Sequence, residues 1–355
     1  MPENLYRIAV IPGDGIGKEV VPAAQGLLDT VAAGFDFEIQ WTVFDWSCEL
    51  YASTGSMTGG GTVAELADFD AIFLGAVGYP GVADHVSLWG LLIPIRRQFS
   101  QYVNLRPVRL WPGVRTPLVD RVPAEIDFVI VRENNEGEYS EIGGRLYEGT
   151  ANELAVQQSV FTRDGVDRVL RYAFELALSR PGRHLTSATK SNGIIHTMPF
   201  WDERFEKMAA EYPEVKTDQY HIDILAAHLV QHPDWFDVIV ASNLFGDILS
   251  DLGPAVAGSI GLAPGANLNP DLSKPSMFEP VHGSAPDIAG QGIANPVAQI
   301  LTGAMMFDHL KQPLAAEAID SAVKRVLQEQ KIKPNDLGGS ATTVEMADAI
   351  AAALR

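Results

Sequence analysis

Pro12-Gly13-Asp14-Gly15-Ile16-Gly17-Lys18-Glu19 lies between an apolar run, Tyr6 to Ile11, and a helical pattern from Lys18 to Val31. Strand, glycine-rich turn and helix in that order resemble the start of a nucleotide-binding α/β domain. The stretch fails both of the usual tests. A phosphate-cradling loop needs a glycine where Pro12 stands and Ser or Thr where Glu19 stands. The dinucleotide fingerprint needs its last two glycines three apart, whereas Gly15 and Gly17 are two apart. Taken alone, the stretch is either a plain turn or a ligand-facing loop.

Working outward, the rest of the chain keeps an α/β rhythm. Asp36 to Phe44 alternates like a strand, and Asp70 to Gly75 is short and apolar, as parallel strands tend to be. Further strands are expected at Phe128 to Val131, Ala155 to Phe161, Leu185 to Thr189 and Val238 to Ala241. Val166, Val169, Leu170, Ala173, Phe174, Ala177 and Leu178 trace one helix face, and Ile319, Ala322, Val323, Val326 and Leu327 trace another. Thr62 to Glu65 and Thr342 to Glu345 have the capping-box spacing that opens a helix. No internal repeat, low-complexity tract or linker interrupts the pattern. At 355 residues the chain has room for two domains, and without a linker it is expected to cross between them more than once.

Composition narrows the function. The 26 Lys and Arg against 45 Asp and Glu leave a formal charge of −19, which repels phosphate backbones and argues against nucleic acid as a partner. Hydrophobic residues make up 46% and charged residues 20%, a globular balance. The single cysteine, Cys48, allows no internal disulfide framework and fits a reducing cytoplasm. Met1 to Leu5 lacks the basic-then-apolar pattern of a secretion signal. Gly253 to Pro270 is uncharged, but its glycines and prolines fit a buried helix and loop better than a membrane span, so no membrane partner is expected.

Five stretches carry possible chemistry. Arg96, Arg97, Arg106 and Arg109 cluster beside apolar residues, as a carboxylate or phosphate site would require; a solvated helix face is the plainer alternative. Arg132 to Tyr139 ends a buried strand, and Lys190 follows another; strand ends are where α/β sheets bind ligands. In Asn243-Leu244-Phe245-Gly246-Asp247-Ile248-Leu249-Ser250-Asp251 the acids Asp247 and Asp251 share one helix face, where they repel unless a cation such as Mg²⁺ or Mn²⁺ lies between them. The alternative is two solvated acids. Glu279 to Pro296 is a loop of small residues, suited to close backbone approach to a ligand.

Together these stretches resemble the metal-dependent β-hydroxyacid oxidative decarboxylases, which include isopropylmalate and isocitrate dehydrogenases. The resemblance runs nearly the whole length, through Gly-Asp-Gly-Ile-Gly, Leu-Arg-Pro, Asn-Leu-Phe-Gly-Asp-Ile-Leu-Ser-Asp and His-Gly-Ser-Ala-Pro-Asp. Asp84 to Gly90 and Gln101 to Arg109 look most like its tartrate/D-malate branch. The resemblance implies two interleaved α/β domains of the isopropylmalate dehydrogenase type, not a Rossmann fold: 1–101 plus 258–355, and 102–257. It implies Arg96, Arg106 and Arg132 on the substrate carboxylates, with Leu92 beside them. Tyr139 and Lys190 would be the proton-transfer pair, and Asp223, Asp247 and Asp251 the metal ligands. The NAD loop would start at His282, Gly283, Ser284 and Ala285, with Asp287 on the adenosine ribose and Asn295 near the adenine. Implied cofactors are NAD and Mg²⁺ or Mn²⁺, with a monovalent cation left open.

The implied substrate is a small dicarboxylic hydroxy acid, such as D-malate or tartrate, with 3-isopropylmalate as the alternative. The implied partner is a second copy: Lys190 and Asp223 would serve the neighbouring subunit's site, making a homodimer with shared active sites. Two departures bear on substrate choice. Gly90 and Leu92 stand where isocitrate enzymes place serine and asparagine, and Trp89 stands where isopropylmalate enzymes usually carry glutamate. Ser87 to Ile93 is expected to line the pocket around C3 of the substrate. Two other classes fit part of the pattern. A metal-dependent phosphate-ester hydrolase would use the aspartates and arginines but not the His282 loop; a non-catalytic binding protein would need neither Lys190 nor the aspartates.

Overall fold

Short apolar runs bounded by turn residues become strands, and the computed structural model, which describes residues 4–354, contains twelve. Met1 to Glu3, part of the stretch read for a secretion signal, lie outside the described residues. In chain order the strands are β1 (Leu5–Gly13), β2 (Glu38–Val43), β3 (Ala71–Ala76), β4 (Val103–Arg109), β5 (Asp127–Glu133), β6 (Gly143–Leu146), β7 (Leu154–Gln157), β8 (His184–Thr189), β9 (Lys216–His221), β10 (Val238–Ala241), β11 (Ala266–Leu268) and β12 (Ser276–Phe278).

Ten of them form one sheet in the order β2-β1-β3-β12-β11-β4-β5-β10-β8-β9. Its two ends are parallel, and its middle, β12-β11-β4-β5, is antiparallel. This mixed sheet is the α/β architecture expected above and has no Rossmann strand order. β3 pairs with β12, and β11 pairs with β4, so early and late parts of the chain alternate across the middle of the sheet.

Helix faces follow the expected periodicity. Helix Arg163–Ser179 buries Val166, Val169, Leu170, Ala173, Phe174 and Ala177, whereas Leu178 is half-buried. Each fully buried large apolar side chain contributes about 1.5–3 kcal/mol. Helix Pro313–Glu329 buries Ile319, Ala322, Val323, Val326 and Leu327. Both capping boxes form: the Thr62 amide donates to Glu65 Oε1 at 2.7 Å and the Thr342 amide to Glu345 Oε2 at 2.9 Å.

Three expectations are refined. The strand anticipated at Ala155 to Phe161 is only Leu154–Gln157, paired with β6 in an exposed antiparallel ribbon; its alternation reflects a ribbon in solvent rather than a sheet edge. The arginine cluster divides between helix Ile93–Gln98, which carries Arg96 and Arg97, and β4, which carries Arg106 and Arg109. Gly253 to Pro270 ends helix Asn243–Ala257 and then supplies β11. No helix among the described residues is long and apolar enough to cross a membrane.

Candidate active site

Alternation along the middle strands turns Asn104 and Arg106 of β4 to the same side of the sheet, and Arg132 of β5 pairs in register with Asn104. Arg96, Arg106 and Arg132 form a buried trio lining a cavity of about 180 Å³, alongside Leu88, Leu92, Ile93, Asn134, Tyr139 and Asp247. The plainer alternative of a solvated helix face fails: Arg96 is buried and Arg97 half-buried on the helix, while buried Arg106 and exposed Arg109 lie on a strand. Of the segment Ser87 to Ile93, only Leu88, Leu92 and Ile93 reach the cavity. Trp89 instead packs under the guanidinium of Arg97, 5.2 Å from its ring centre.

Glu279, to which the sequence pattern assigned no role, organises the arginines. It is buried; Arg96 Nη2 donates to its Oε1 at 2.9 Å and Asn267 Nδ2 at 2.8 Å, while Arg106 Nη2 lies 4.0 Å away. Arg106 Nε in turn donates to Asn104 Oδ1 at 2.8 Å. Burial alone would raise the Glu279 carboxyl, but the positive charges of Arg96 and Arg106 outweigh it and hold the group below its ordinary value. Burial also brings Arg106 down to about 10. Two buried atoms here have no protein partner, Arg96 Nε and Asn134 Oδ1. Groups left so are satisfied by a ligand or by water.

The helix that carries the aspartates starts directly after β10. Glu138, also without a role in the sequence pattern, fixes that start: Ser242 Oγ donates to its Oε1 at 2.8 Å and the Leu244 amide to its Oε2 at 3.0 Å. Arg132 donates through Nε and Nη2 to Asn243 Oδ1 at 3.0 and 2.8 Å, and pairs with Asp247. Gly246 permits this, since a Cβ there would meet the Arg132 side chain at 2.5 Å. Tyr139 Oη donates to Asp247 Oδ2 at 2.7 Å. Burial, then the bond to Asp247, pushes the Tyr139 phenol up to about 12, so it keeps its proton at neutral pH. Burial would raise Asp247, but the charge of Arg132, the Tyr139 hydrogen bond and the charges of Arg106 and Arg96 together outweigh it and keep the carboxyl below its ordinary value. Asp251 moves the other way, raised by burial and by the charge of Asp247. The repulsion expected from their spacing is therefore present.

Lys190 and Asp223 lie elsewhere. β8 and β9 run parallel with Thr189 beside His221, which brings the two residues beyond them together, and Lys190 Nζ donates to Asp223 Oδ1 at 2.5 Å. Within one chain Asp223 does not join Asp247 and Asp251, and no three metal-ligating side chains converge among the described residues.

The stretch that opened the sequence reading proves to be the support of the small-residue loop. The Ile16 amide donates to the Ser284 carbonyl at 2.9 Å. Gly15 has φ +53°, and a Cβ there would run into that same carbonyl. Asp14, fully buried, accepts from the amides of Cys48, Glu49 and Gly78 at 2.8, 2.9 and 3.0 Å. Glu19, standing where a phosphate loop would need a hydroxyl, accepts from the amides of Gly290 and Gly292 at 2.5 and 2.7 Å.

In the loop itself, His282 Nδ1 donates to the Gly283 carbonyl at 3.0 Å, leaving Nε2 buried and unpartnered. Burial lowers its pKa and keeps the ring neutral, so Nε2 is a free acceptor. Gly283 is exposed, Ser284 buried, and Ala285 held at φ +40°. Asp287 is exposed. Asn295 is already engaged, donating to Asp336 Oδ2 at 3.0 Å and accepting from the Val297 amide at 3.1 Å.

The geometry can be set beside known proteins. Residues 7–350 match the family described as isocitrate/isopropylmalate dehydrogenase. The chain is 57% identical to a D-malate dehydrogenase (decarboxylating) of Escherichia coli (strain K12), over 97% of each chain. It is 52% identical to a tartrate dehydrogenase/decarboxylase of Pseudomonas putida, over 99% of this chain and 98% of that one. Its fold is similar to the crystal structure of isocitrate dehydrogenase from Methylococcus capsulatus, with a TM-score of 0.88 and 33% identity over 99% of each chain. The chain therefore belongs to the isocitrate/isopropylmalate dehydrogenase family and is an enzyme of the decarboxylating dehydrogenase kind, acting on a CH–OH group.

Proposed function

We propose that the chain oxidises and decarboxylates a malate-like 2-hydroxy diacid with NAD⁺ and Mg²⁺ or Mn²⁺, turning D-malate into pyruvate and CO₂, tartrate oxidation being a related activity. The observation that carries this is the buried trio Arg96, Arg106 and Arg132 around a cavity of about 180 Å³. Three guanidiniums suit two carboxylates, and the volume suits a short diacid. The apolar part of the lining comes from Leu88, Leu92 and Ile93. A third carboxylate there would be buried unpaired at a cost of several kcal/mol, which disfavours isocitrate. The same lining favours 3-isopropylmalate as the second reading, since a misfit around one alkyl group is worth only about 1–3 kcal/mol.

The residues present fit both cofactors. Asp247 and Asp251 repel across one helix turn, as a divalent-ion pair of ligands does without its ion, and His282 Nε2 is a buried acceptor awaiting a donor. Asp287, exposed on the loop, suits a free ribose 2′-hydroxyl and repels a phosphate there, so NAD⁺ is favoured over NADP⁺. A divalent ion held by Asp247 and Asp251 would supply Lewis-acid stabilisation of negative charge developing on the substrate oxygen, and NAD⁺ against the His282 loop would supply the hydride acceptor. Arg96, Arg106 and Arg132 hold the carboxylates, with Arg132 exchanging its partner Asp247 for substrate. Lys190, in its uncharged form, takes the hydroxyl proton. Tyr139, protonated at neutral pH, supplies the proton to carbon.

Lys190 and Asp223 pair with each other rather than with Asp247, which supports a homodimer in which each serves the partner's site. Exposed Ile195, Ile224 and Ile248, 67, 43 and 50% accessible, give such a contact apolar surface. The crossings β3 to β12 and β11 to β4 support division into 1–101 plus 258–355 and 102–257. The buried free thiol of Cys48 fits a cytoplasmic enzyme. The test is a steady-state panel of D-malate, tartrate isomers, 3-isopropylmalate and isocitrate with NAD⁺ and Mn²⁺. D-malate should have the highest kcat/KM and isocitrate negligible turnover. Isocitrate turning over as well as D-malate would overturn the proposal.

A further inference from the structure

A second cavity, of about 620 Å³, opens on the other face of the same middle strands, within the size range of small-molecule sites. Strand alternation ties it to the first. On β4, Asn104 and Arg106 belong to the arginine network, while Leu105, Pro107 and Arg109 line the second cavity. On β11, Asn267 bonds Glu279, while Ala266 and Leu268 face the second cavity. Phe278 of β12 lines it, and Glu279, the next residue, holds Arg96. The far wall is apolar, from Leu301, Ala304 and Ala316.

The polar groups at this cavity are short of partners. The Tyr172 hydroxyl makes no hydrogen bond among the described residues, and the charge of Asp308 acts on it. His309 packs against the Phe278 ring, 5.4 Å between centres, and is neutral. At the mouth Arg109 is already paired, with Asp320 at 2.8 Å and Asp127 at 3.6 Å. Among the described residues that leaves one unpaired cation lining the cavity, Lys311, against two unpaired carboxylates, Asp308 and Glu317. An apolar floor under a mouth of net negative charge selects by charge as well as by shape.

We propose that this cavity binds a small amphiphilic cation, its apolar body against Leu105, Leu268 and Phe278 and its ammonium end between Asp308 and Glu317. Because the two cavities share β4, β11 and β12, an occupant shifts the strands that carry Arg106, Asn267 and Glu279. Occupancy therefore changes diacid binding on the opposite face. The coupling rests on the proposed function; the binding does not.

The probes are 4-phenylbutylamine, 4-phenylbutanol and 4-phenylbutyrate, which share a body and differ in one end group. Binding to the full-length protein is measured by saturation-transfer NMR and calorimetry, without substrate. The amine should bind with a Kd below about 2 mM, at least about tenfold tighter than the acid. Ala316→Phe, which projects a ring from the cavity wall into the space the apolar body would occupy, should weaken binding at least about tenfold. Asp308→Asn with Glu317→Gln, both exposed changes that leave the core intact, should reduce the preference for amine over acid to within about twofold. Acid binding as tightly as amine, no amine binding at 10-fold the expected Kd (about 20 mM), or unchanged binding in folded Ala316→Phe would overturn the site. Saturating amine should shift the D-malate KM by at least twofold; binding with an unchanged KM would overturn the coupling. Loss of turnover with amine binding intact would count against the proposed reaction and not against the site.

Discussion

Glu279→Gln tests whether one buried acid holds the substrate arginines. The change keeps the shape of the side chain and removes only its charge. Arg96 then loses a partner at 2.9 Å and Arg106 one at 4.0 Å. At an effective dielectric constant of 20 these attractions amount to about 6 and about 4 kcal/mol, before the desolvation of the ions is set against them. Removing one member of a buried pair costs about 3–5 kcal/mol, because the remaining charge stays buried and unmatched. Urea unfolding of the variant should show a loss in that range. Arg96→Gln combined with Glu279→Gln should recover part of it, since two charges then vanish together, while Arg106 still lacks its neighbour. A double-mutant cycle should give a coupling of at least about 2 kcal/mol. A coupling under about 0.5 kcal/mol would refute the reasoning and make Glu279 a bystander.

Tyr139→Phe should lower kcat with D-malate by about 10²- to 10⁴-fold while costing only about 1 kcal/mol of stability, since the phenol is both the proposed acid and a donor to Asp247; near-normal kcat would remove it from the chemistry. Gly15→Ala should weaken NAD⁺ about tenfold in a fluorescence titration, because φ +53° is strained for alanine and its Cβ strikes the Ser284 carbonyl. Lys190→Ala and Asp247→Ala chains, each inactive, should regain activity when refolded together, since a hybrid dimer contains one intact site; proven hybrids without activity would exclude shared sites. Burial pushes the Glu133 carboxyl up to about 7 from an unfolded value near 4.5, so the folded chain holds the extra proton between those values. Stability from this group is fully present below 4.5 and declines as pH rises to about 7. Glu133→Gln should flatten that part of a urea-midpoint profile, and superimposable profiles would refute the assignment.

Local chemistry by itself determined a good part of this protein. The strands at Tyr6 to Ile11, Asp70 to Gly75 and Val238 to Ala241, both capping boxes and the face of helix Arg163–Ser179 follow from periodicity and turn residues within a few positions. The repulsion between Asp247 and Asp251 follows from the pitch of one helix. The family resemblance brought the separated arginines and the His282 loop into one expectation. Only the tertiary structure decided which distant groups meet. Arg96 and Glu279 are 183 positions apart, and no local pattern announces their pairing. The antiparallel middle of the sheet depends on β11 and β12 returning beside β4 and β3, strands of three residues too short to show a period. Lys190 met Asp223 because two parallel strands end side by side. The opening glycine stretch became a brace rather than a phosphate cradle because Asp14 and Glu19 turn their carboxylates onto backbone amides that only the folded chain brings near. Backbone conformation and amphipathic pattern are short-range properties of a chain, whereas charge pairing and cavity shape depend on where the sheet places residues remote in sequence.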